Sequence, residues 1–223
     1  STPLATVPAP PPIIMRSATR DAAFLLPYLS SGMSLLDCGY GPGSITFGLA
    51  DVVEPGKVVG IDIGASYIEH AKSAAEQQGV SNASFQEGSV YDLPMPENSC
   101  DAAFSHAVLD HLGEPLLALK EIYRVLKPGG VVGVRVISPE EAVQEPLDPV
   151  LQQCREFADR LLTHNGGDRT IHRQLPALLR KAGFGRVELS ASYKSFGNPG
   201  AIQMWAERMA GTFTQPPIFE QLT

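Results

Sequence analysis

Two rhythms of apolar residues alternate along this chain. Some runs are almost continuously apolar, such as MSLLDC and KVVGIDI; in others apolar residues recur every three or four positions. The first kind predicts strands at 34–38, 57–63, 82–87, 101–106, 130–137 and 185–196. The second predicts helices over SITFGLADVV, ASYIEHAKSAAEQQG (closed by Gly79), EPLLALKEIYRVLK (stopped by Pro128-Gly129-Gly130), HRQLPALLRKAGF and AIQMWAERMAGTF. An earlier helix is expected in RSATRDAAFLLPYL. There Ala18, Ala22, Leu25, Leu26 and Leu29 lie at helical spacing, and Pro27 should bend or end it. Strands of this kind alternating with helices define an α/β, Rossmann-like, doubly wound fold: a mostly parallel sheet with helices on both faces. Right-handed crossovers and a switch in strand order then open a ligand crevice at the carboxyl ends of the first strands.

Two segments break the rhythm. The first twelve residues hold five prolines, so 1–15 reads as an extended arm preceding a single domain, 16–223. Residues 139–170 contain one helix-like stretch, DPVLQQCREFADRLLTH, ending in Gly166-Gly167. This reads as a helical insertion over the crevice.

Composition narrows the class. Of 223 residues, 43% are hydrophobic and 18% charged, a globular balance. The net charge of −7 argues against nucleic acid as a partner, since that needs a concentrated basic patch. No apolar run is long enough for a membrane span. Cys38, Cys100 and Cys154 are odd in number and widely spaced, which predicts no disulfide framework and fits a cytoplasmic location. No Cys/His/Asp cluster has metal-ligand spacing, so no metal is expected.

The chemistry starts at Leu35-Leu36-Asp37-Cys38-Gly39-Tyr40-Gly41-Pro42-Gly43, read as strand, loop and helix start. Glycines there let a ligand approach the backbone, and Asp62 ends the next strand, where a carboxylate accepts both hydroxyls of a ribose. A dinucleotide loop would carry a third glycine where Ser44 stands. The carboxylate of Asp37 would repel a pyrophosphate but suits an ammonium group. A ligand with a ribose and an amino-acid end is S-adenosylmethionine, and a nicotinamide-dependent reductase is disfavoured on the same grounds.

From about Arg16 to Phe196 the chain resembles the class I S-adenosylmethionine-dependent methyltransferases, and most of all the ubiquinone/menaquinone-biosynthesis (type 11/25) group. The pieces that carry the resemblance are LLDCGYGPG, VVGIDIGASYIEHAK, GSVYDLPMPENSCDAAFSHAVLDHL and EIYRVLKPGGVVGV, in that order. The resemblance implies that Asp37, Gly39 and Gly41 surround the methionine end, Asp62 holds the ribose, Ile63 packs on the adenine and Ser89-Val90 meet its edge. It also implies an N-terminal helix closing over the cofactor, with Arg16 or Arg20 available to the methionine carboxylate. Tyr40 stands where the family usually has a small residue or cysteine, so its ring must fold over the cofactor or point away. Ser89 stands where an aspartate is usual; its hydroxyl can still accept a hydrogen bond from the adenine amino group. A seventh, antiparallel strand is also implied. With six strand-like runs, and Pro216-Pro217 near the end, that strand is expected to be missing from this chain.

Methyl transfer needs alignment and exclusion of water, and a base only where the acceptor loses a proton. His106, at the predicted end of the fourth strand, is the leading candidate base; the competing reading is a neutral histidine lining the pocket or bonding backbone. His111 is the alternative, its other reading a structural role closing the next helix. Asp110 reads as a solvated loop or helix-start residue, His70 as exposed. His164 and His172 flank the glycine turn of the insertion, within reach of the crevice mouth. Phe24, Tyr28, Phe157, Tyr193, Phe196 and Trp205 are candidates for an apolar acceptor pocket or plain core. The expected activity is methylation of a small-molecule acceptor at O, N or C, with S-adenosylhomocysteine as product. A non-catalytic S-adenosylmethionine-binding regulatory or structural protein is the alternative.

Overall fold

A computed structural model describes residues 16–138 and 149–194, together with 199, 200, 202, 203, 206 and 207. The chain divides into two compact units: residues 17–189, and a second made of 1–16 and 190–223. In the second unit the described positions from 199 onward are helical, and the Gln203 amide donates to Glu207 across one turn (2.9 Å). The arm at 1–15, Phe196, Trp205 and Pro216-Pro217 lie outside the described residues.

Five strands form the sheet of the larger unit: β1 (Ser34–Cys38), β2 (Lys57–Asp62), β3 (Ala83–Glu87), β4 (Cys100–His106) and β5 (Leu126–Arg135). Their order is β3-β2-β1-β4-β5 and every pairing is parallel. The helices are α1 (Ala18–Asp21), α2 (Ser44–Val53), α3 (Ala65–Gln78), α4 (Pro115–Val125), α5 (Pro149–His164) and α6 (Ile171–Ala182). The central strands β1, β2 and β4 are buried on both sides, which is why they read as apolar runs. Leu35, Val58, Ala102 and Phe104 face Ala18, Ala22, Leu25, Leu49 and Val53 on one side. Leu36, Cys38, Ile61 and Ala103 face Leu93, Ile122 and Val125 on the other. The order in which strands are added switches sides between β1 and β4, which stay parallel, so the crevice opens at the carboxyl ends of those two strands, as expected.

Three expectations are corrected. The N-terminal helix is one turn long, α1, followed by a 3-10 turn at Leu26–Tyr28 with Pro27 at its start. Pro27 does not end α1, which has already stopped at Asp21, and sits instead in the 3-10 turn that follows. Ala18, Ala22 and Leu25 are nonetheless buried, so the apolar spacing reports packing here rather than helix length. Second, α4 ends at Val125 and β5 begins at once, four residues earlier than the Pro-Gly-Gly stop suggests. A register irregularity absorbs Lys127–Gly130. Third, no strand forms over 185–194: these residues are mostly exposed and have no ladder partner. Among the described residues all strands are parallel.

Candidate active site

Asp37 is the penultimate residue of β1 and is buried. Thr46, in the first turn of α2, donates its hydroxyl to Asp37 Oδ2 (2.7 Å). Burial pushes the Asp37 carboxyl up to about 7, although the Thr46 hydrogen bond opposes the shift; the nearby Asp62 charge adds to it. A buried carboxylate held this close to neutrality is ready to pair with a cation. The sequence signal for Thr46 is a polar residue on the otherwise apolar face Ile45-Phe47-Leu49-Ala50-Val53, and sequence reasoning missed it.

Three strand ends converge on Asp62. Its Oδ2 accepts the Gly41 N–H and its Oδ1 the Gly64 N–H, both at 2.9 Å. Its carbonyl accepts the Gly88 N–H at 3.0 Å. A carboxylate has about four acceptor positions, so two remain for a ligand. Gly39 and Gly41 adopt φ of +73° and +54°. A Cβ on Gly39 would run into the Val108 side chain, whereas the space beside Gly41 is open. The first glycine therefore lets the loop after β4 approach, and the second leaves room for a ligand.

The Tyr40 ring points away from the crevice. It packs on Phe85, with centroids 4.9 Å apart, and over Gly60, where a Cβ would lie 2.8 Å from Tyr40 Cδ1. Gly60 thus provides the space for a residue larger than usual. The Tyr40 hydroxyl is buried without a hydrogen-bond partner, and burial raises its pKa. Ile63 presents 69% of its surface to solvent, unusual for an isoleucine beside a core strand. Ser89 accepts the Tyr91 N–H at 3.2 Å in the turn after β3, and Val90 is half-buried against both neighbouring clusters.

These features fit S-adenosylmethionine. Asp37 offers a buried anion, Asp62 has spare acceptors at a strand end, and Ile63 is an uncovered apolar surface for a flat ring. Arg16 belongs to the other unit. The Arg20 guanidinium donates to Asp21 Oδ2 (3.1 and 3.2 Å).

On the β4–β5 side the structure separates the two candidate histidines. His106 is the last residue of β4 and only 4% exposed. Its Nε2 lies 3.9 Å from Oδ1 of Asp21, which is fully buried. Arg135, its register partner at the end of β5, brings Nη1 to 3.9 Å from the same oxygen. Asp21 and Arg135 were not singled out from sequence, because their meeting depends on elements more than a hundred positions apart. Ala107 follows at φ +54°, its N–H held by Arg135 O at 2.8 Å. Such a conformation is uncommon outside glycine.

His111 sits on the 3-10 turn Leu109–His111 with its side chain 52% exposed, Nε2 3.7 Å from Asp110 Oδ2. It does not close the next helix: α4 starts at Pro115 behind Glu114 and has no side-chain cap. Asp110, expected to be solvated, is buried, because the end of the insertion docks on it: the Asp168 N–H donates to Asp110 O at 2.9 Å. His70 and His164 are exposed, while His172 is half-buried, its ring 3.0 Å from Ser138 Oγ. Phe24 is half-buried against the core, tilted on Phe104 at 6.3 Å. Tyr28 and Tyr193 are exposed, and Phe157 is half-buried. Among the described residues, no helix is long and apolar enough to cross a membrane.

Residues 29–183 match the family model described as a methyltransferase domain. The chain is 32% identical to a probable methyltransferase, ltbC, of Aspergillus luteorubrus, over 90% of this chain and 75% of that protein. It is 34% identical to the demethylmenaquinone methyltransferase of Lactococcus lactis, over 77% of this chain and 71% of that one. A SAM-dependent methyltransferase from Aquifex aeolicus superposes with a TM-score of 0.58 at 25% identity, covering 74% of this chain and 79% of its own. The chain belongs to the class I S-adenosylmethionine-dependent methyltransferases and is an enzyme of that kind, with S-adenosylmethionine as its cofactor. The catalytic reading thereby holds over the non-catalytic alternative.

Proposed function

We propose that this enzyme methylates a small, apolar or aromatic molecule. The observation that carries the reading is the joint between the insertion and the crevice. A single 16-residue helix, α5, returns through Gly166-Gly167 to hydrogen-bond Asp110, just beyond the carboxyl end of β4. In this reading the insertion lies over the crevice and encloses a compact acceptor. The net charge of −7 disfavours a polyanionic one. The Lactococcus relative, named for a quinone precursor, is in keeping with this class.

S-adenosylmethionine supplies the electrophilic methyl group. In this reading Asp37 takes the ammonium end, with Thr46 holding the carboxylate in place. Asp62 takes the ribose hydroxyls while fixing the Gly41 and Gly64 turns, and Ile63 with Ser89-Val90 receives the adenine. Alignment and exclusion of water then account for most of the acceleration. The test is incubation with methyl-labelled S-adenosylmethionine and a cell extract separated into low-molecular-mass, protein and nucleic-acid fractions. Label in the low-molecular-mass fraction is expected; label confined to either macromolecular fraction overturns the proposal.

A further inference from the structure

The turn after β4 carries a buried carboxylate that the cofactor site does not use. Asp110 is 3% exposed, and its Oδ1 has no hydrogen-bond partner. An orphaned buried carboxylate oxygen is costly unless another group engages it. Oδ2 faces His111 Nε2 at 3.7 Å. The backbone around the pair is fixed on both sides. Val108 abuts Gly39 of the cofactor loop, and the Asp110 carbonyl anchors the end of the insertion. The pair therefore stands between the loop assigned to the methionine end and the cover assigned to the acceptor.

We propose that His111 is the base that takes the acceptor's proton, and that Asp110 is its positioning residue. The inference rests on the small-molecule reading above and deepens it: the acceptor is a hydroxyl or amine, carrying a proton that must leave. His106 is the weaker candidate, since it is buried beside Asp21, whereas His111 is half exposed and can return the proton to solvent. With Nε2 turned to Asp110, the other ring nitrogen, Nδ1, is available to the acceptor. As the acceptor's oxygen or nitrogen forms its bond to the methyl carbon, the carbon–sulfur pair stays on sulfur, leaving a neutral thioether. The acceptor's proton passes to Nδ1. The positive charge thus moves from sulfur to an imidazolium beside the Asp110 carboxylate. Separations near 3.7 Å commonly shorten when the reacting complex assembles.

The test uses the full chain and two kinds of readout. In the first, the ring nitrogens of His111 are followed by ¹⁵N NMR, assigned by their loss in His111→Gln. Nε2 should carry the proton of the neutral ring in the parent, and Asp110→Ala should shift this to a mixture of the two tautomers. Asp110→Asn is measured beside it, with cofactor affinity by calorimetry reporting folding in each variant. In the second, labelled methyl transfer into the low-molecular-mass extract should fall about 10²-fold or more in His111→Gln, with cofactor affinity unchanged. A His111→Gln enzyme that keeps the parent rate overturns the proposal alone, as does a tautomer indifferent to Asp110. A parent that labels only macromolecules overturns the small-molecule reading and this one with it.

Discussion

The two sides of the crevice are built on different principles. On the β1–β2 side, the polar groups are held by neighbours close in sequence: Asp37 by Thr46, and Asp62 by Gly64 and by Gly41 across one strand–helix–strand unit. On the β4–β5 side, Asp21, His106 and Arg135 come from three distant parts of the chain, and Asp110 is covered by the far end of an insertion. The first side can be recognised wherever its motif occurs. The second exists only once the fold has brought those distant segments together.

The largest effect expected separates the two sides by stability. Asp21→Ala leaves the Arg135 and His106 groups without the buried carboxylate they face. Breaking a buried ionic cluster by removing one partner costs about 3–5 kcal/mol. Denaturant unfolding should show a lowered midpoint; an unchanged one would mean that the cluster contributes nothing to holding α1 on the sheet. On the other side, Asp62→Ala should weaken S-adenosylmethionine binding more than any other single change in the cofactor site. It removes the ribose acceptors and releases two turns, a loss of about 3 kcal/mol or roughly 10²-fold in Kd. Calorimetry giving the parent's affinity would remove Asp62 from the ribose site.

A pH titration sharpens the contrast further. Asp37, at about 7 in the ligand-free protein, lies above its ordinary value of 3.8. The folded state therefore holds a proton that the unfolded chain has released, so this group's contribution to stability falls as pH rises from about 4 to 7. Pairing with an ammonium group favours the ionised form. Affinity should thus strengthen by up to about tenfold per unit as pH rises toward 7, then level off. The same titration of Asp37→Asn should be flat over that range; a parallel slope in both proteins would locate the proton elsewhere. The smallest effect is Ile63→Ala, which should cost about 1 kcal/mol of cofactor affinity and almost nothing in stability, because the side chain is exposed until a ligand covers it. A drop in melting temperature instead would make Ile63 a structural residue.

The same division decides what was legible in the sequence. Asp37, the glycines and Asp62 were readable because a strand end, a turn and a helix start impose their spacing on consecutive residues. Thr46 was readable in principle, as a hydroxyl on an apolar helix face. Asp21 was not, since nothing in ATRDAAF marks it as buried until His106 and Arg135 are brought over it. The short α1 shows the limit of periodicity: Ala18, Ala22 and Leu25 keep helical spacing because they meet one core face, although the helix has already ended. The expected strand over 185–196 failed for a related reason. Alternating apolar residues such as Val187 and Leu189 permit a strand, but only a neighbouring edge makes one, and residues 185–194 have none.

The strand order β3-β2-β1-β4-β5 also bears on how the protein is made. On a ribosome, β1 to β3 emerge as a contiguous set that can pair immediately, whereas β4 begins roughly sixty residues after β1 ends. At about 5–20 residues per second, several seconds pass before the second edge of β1 is covered. During that interval the cofactor half of the enzyme can assemble while Leu36 and Cys38, core residues of the finished sheet, remain open to chaperones and to oxidants.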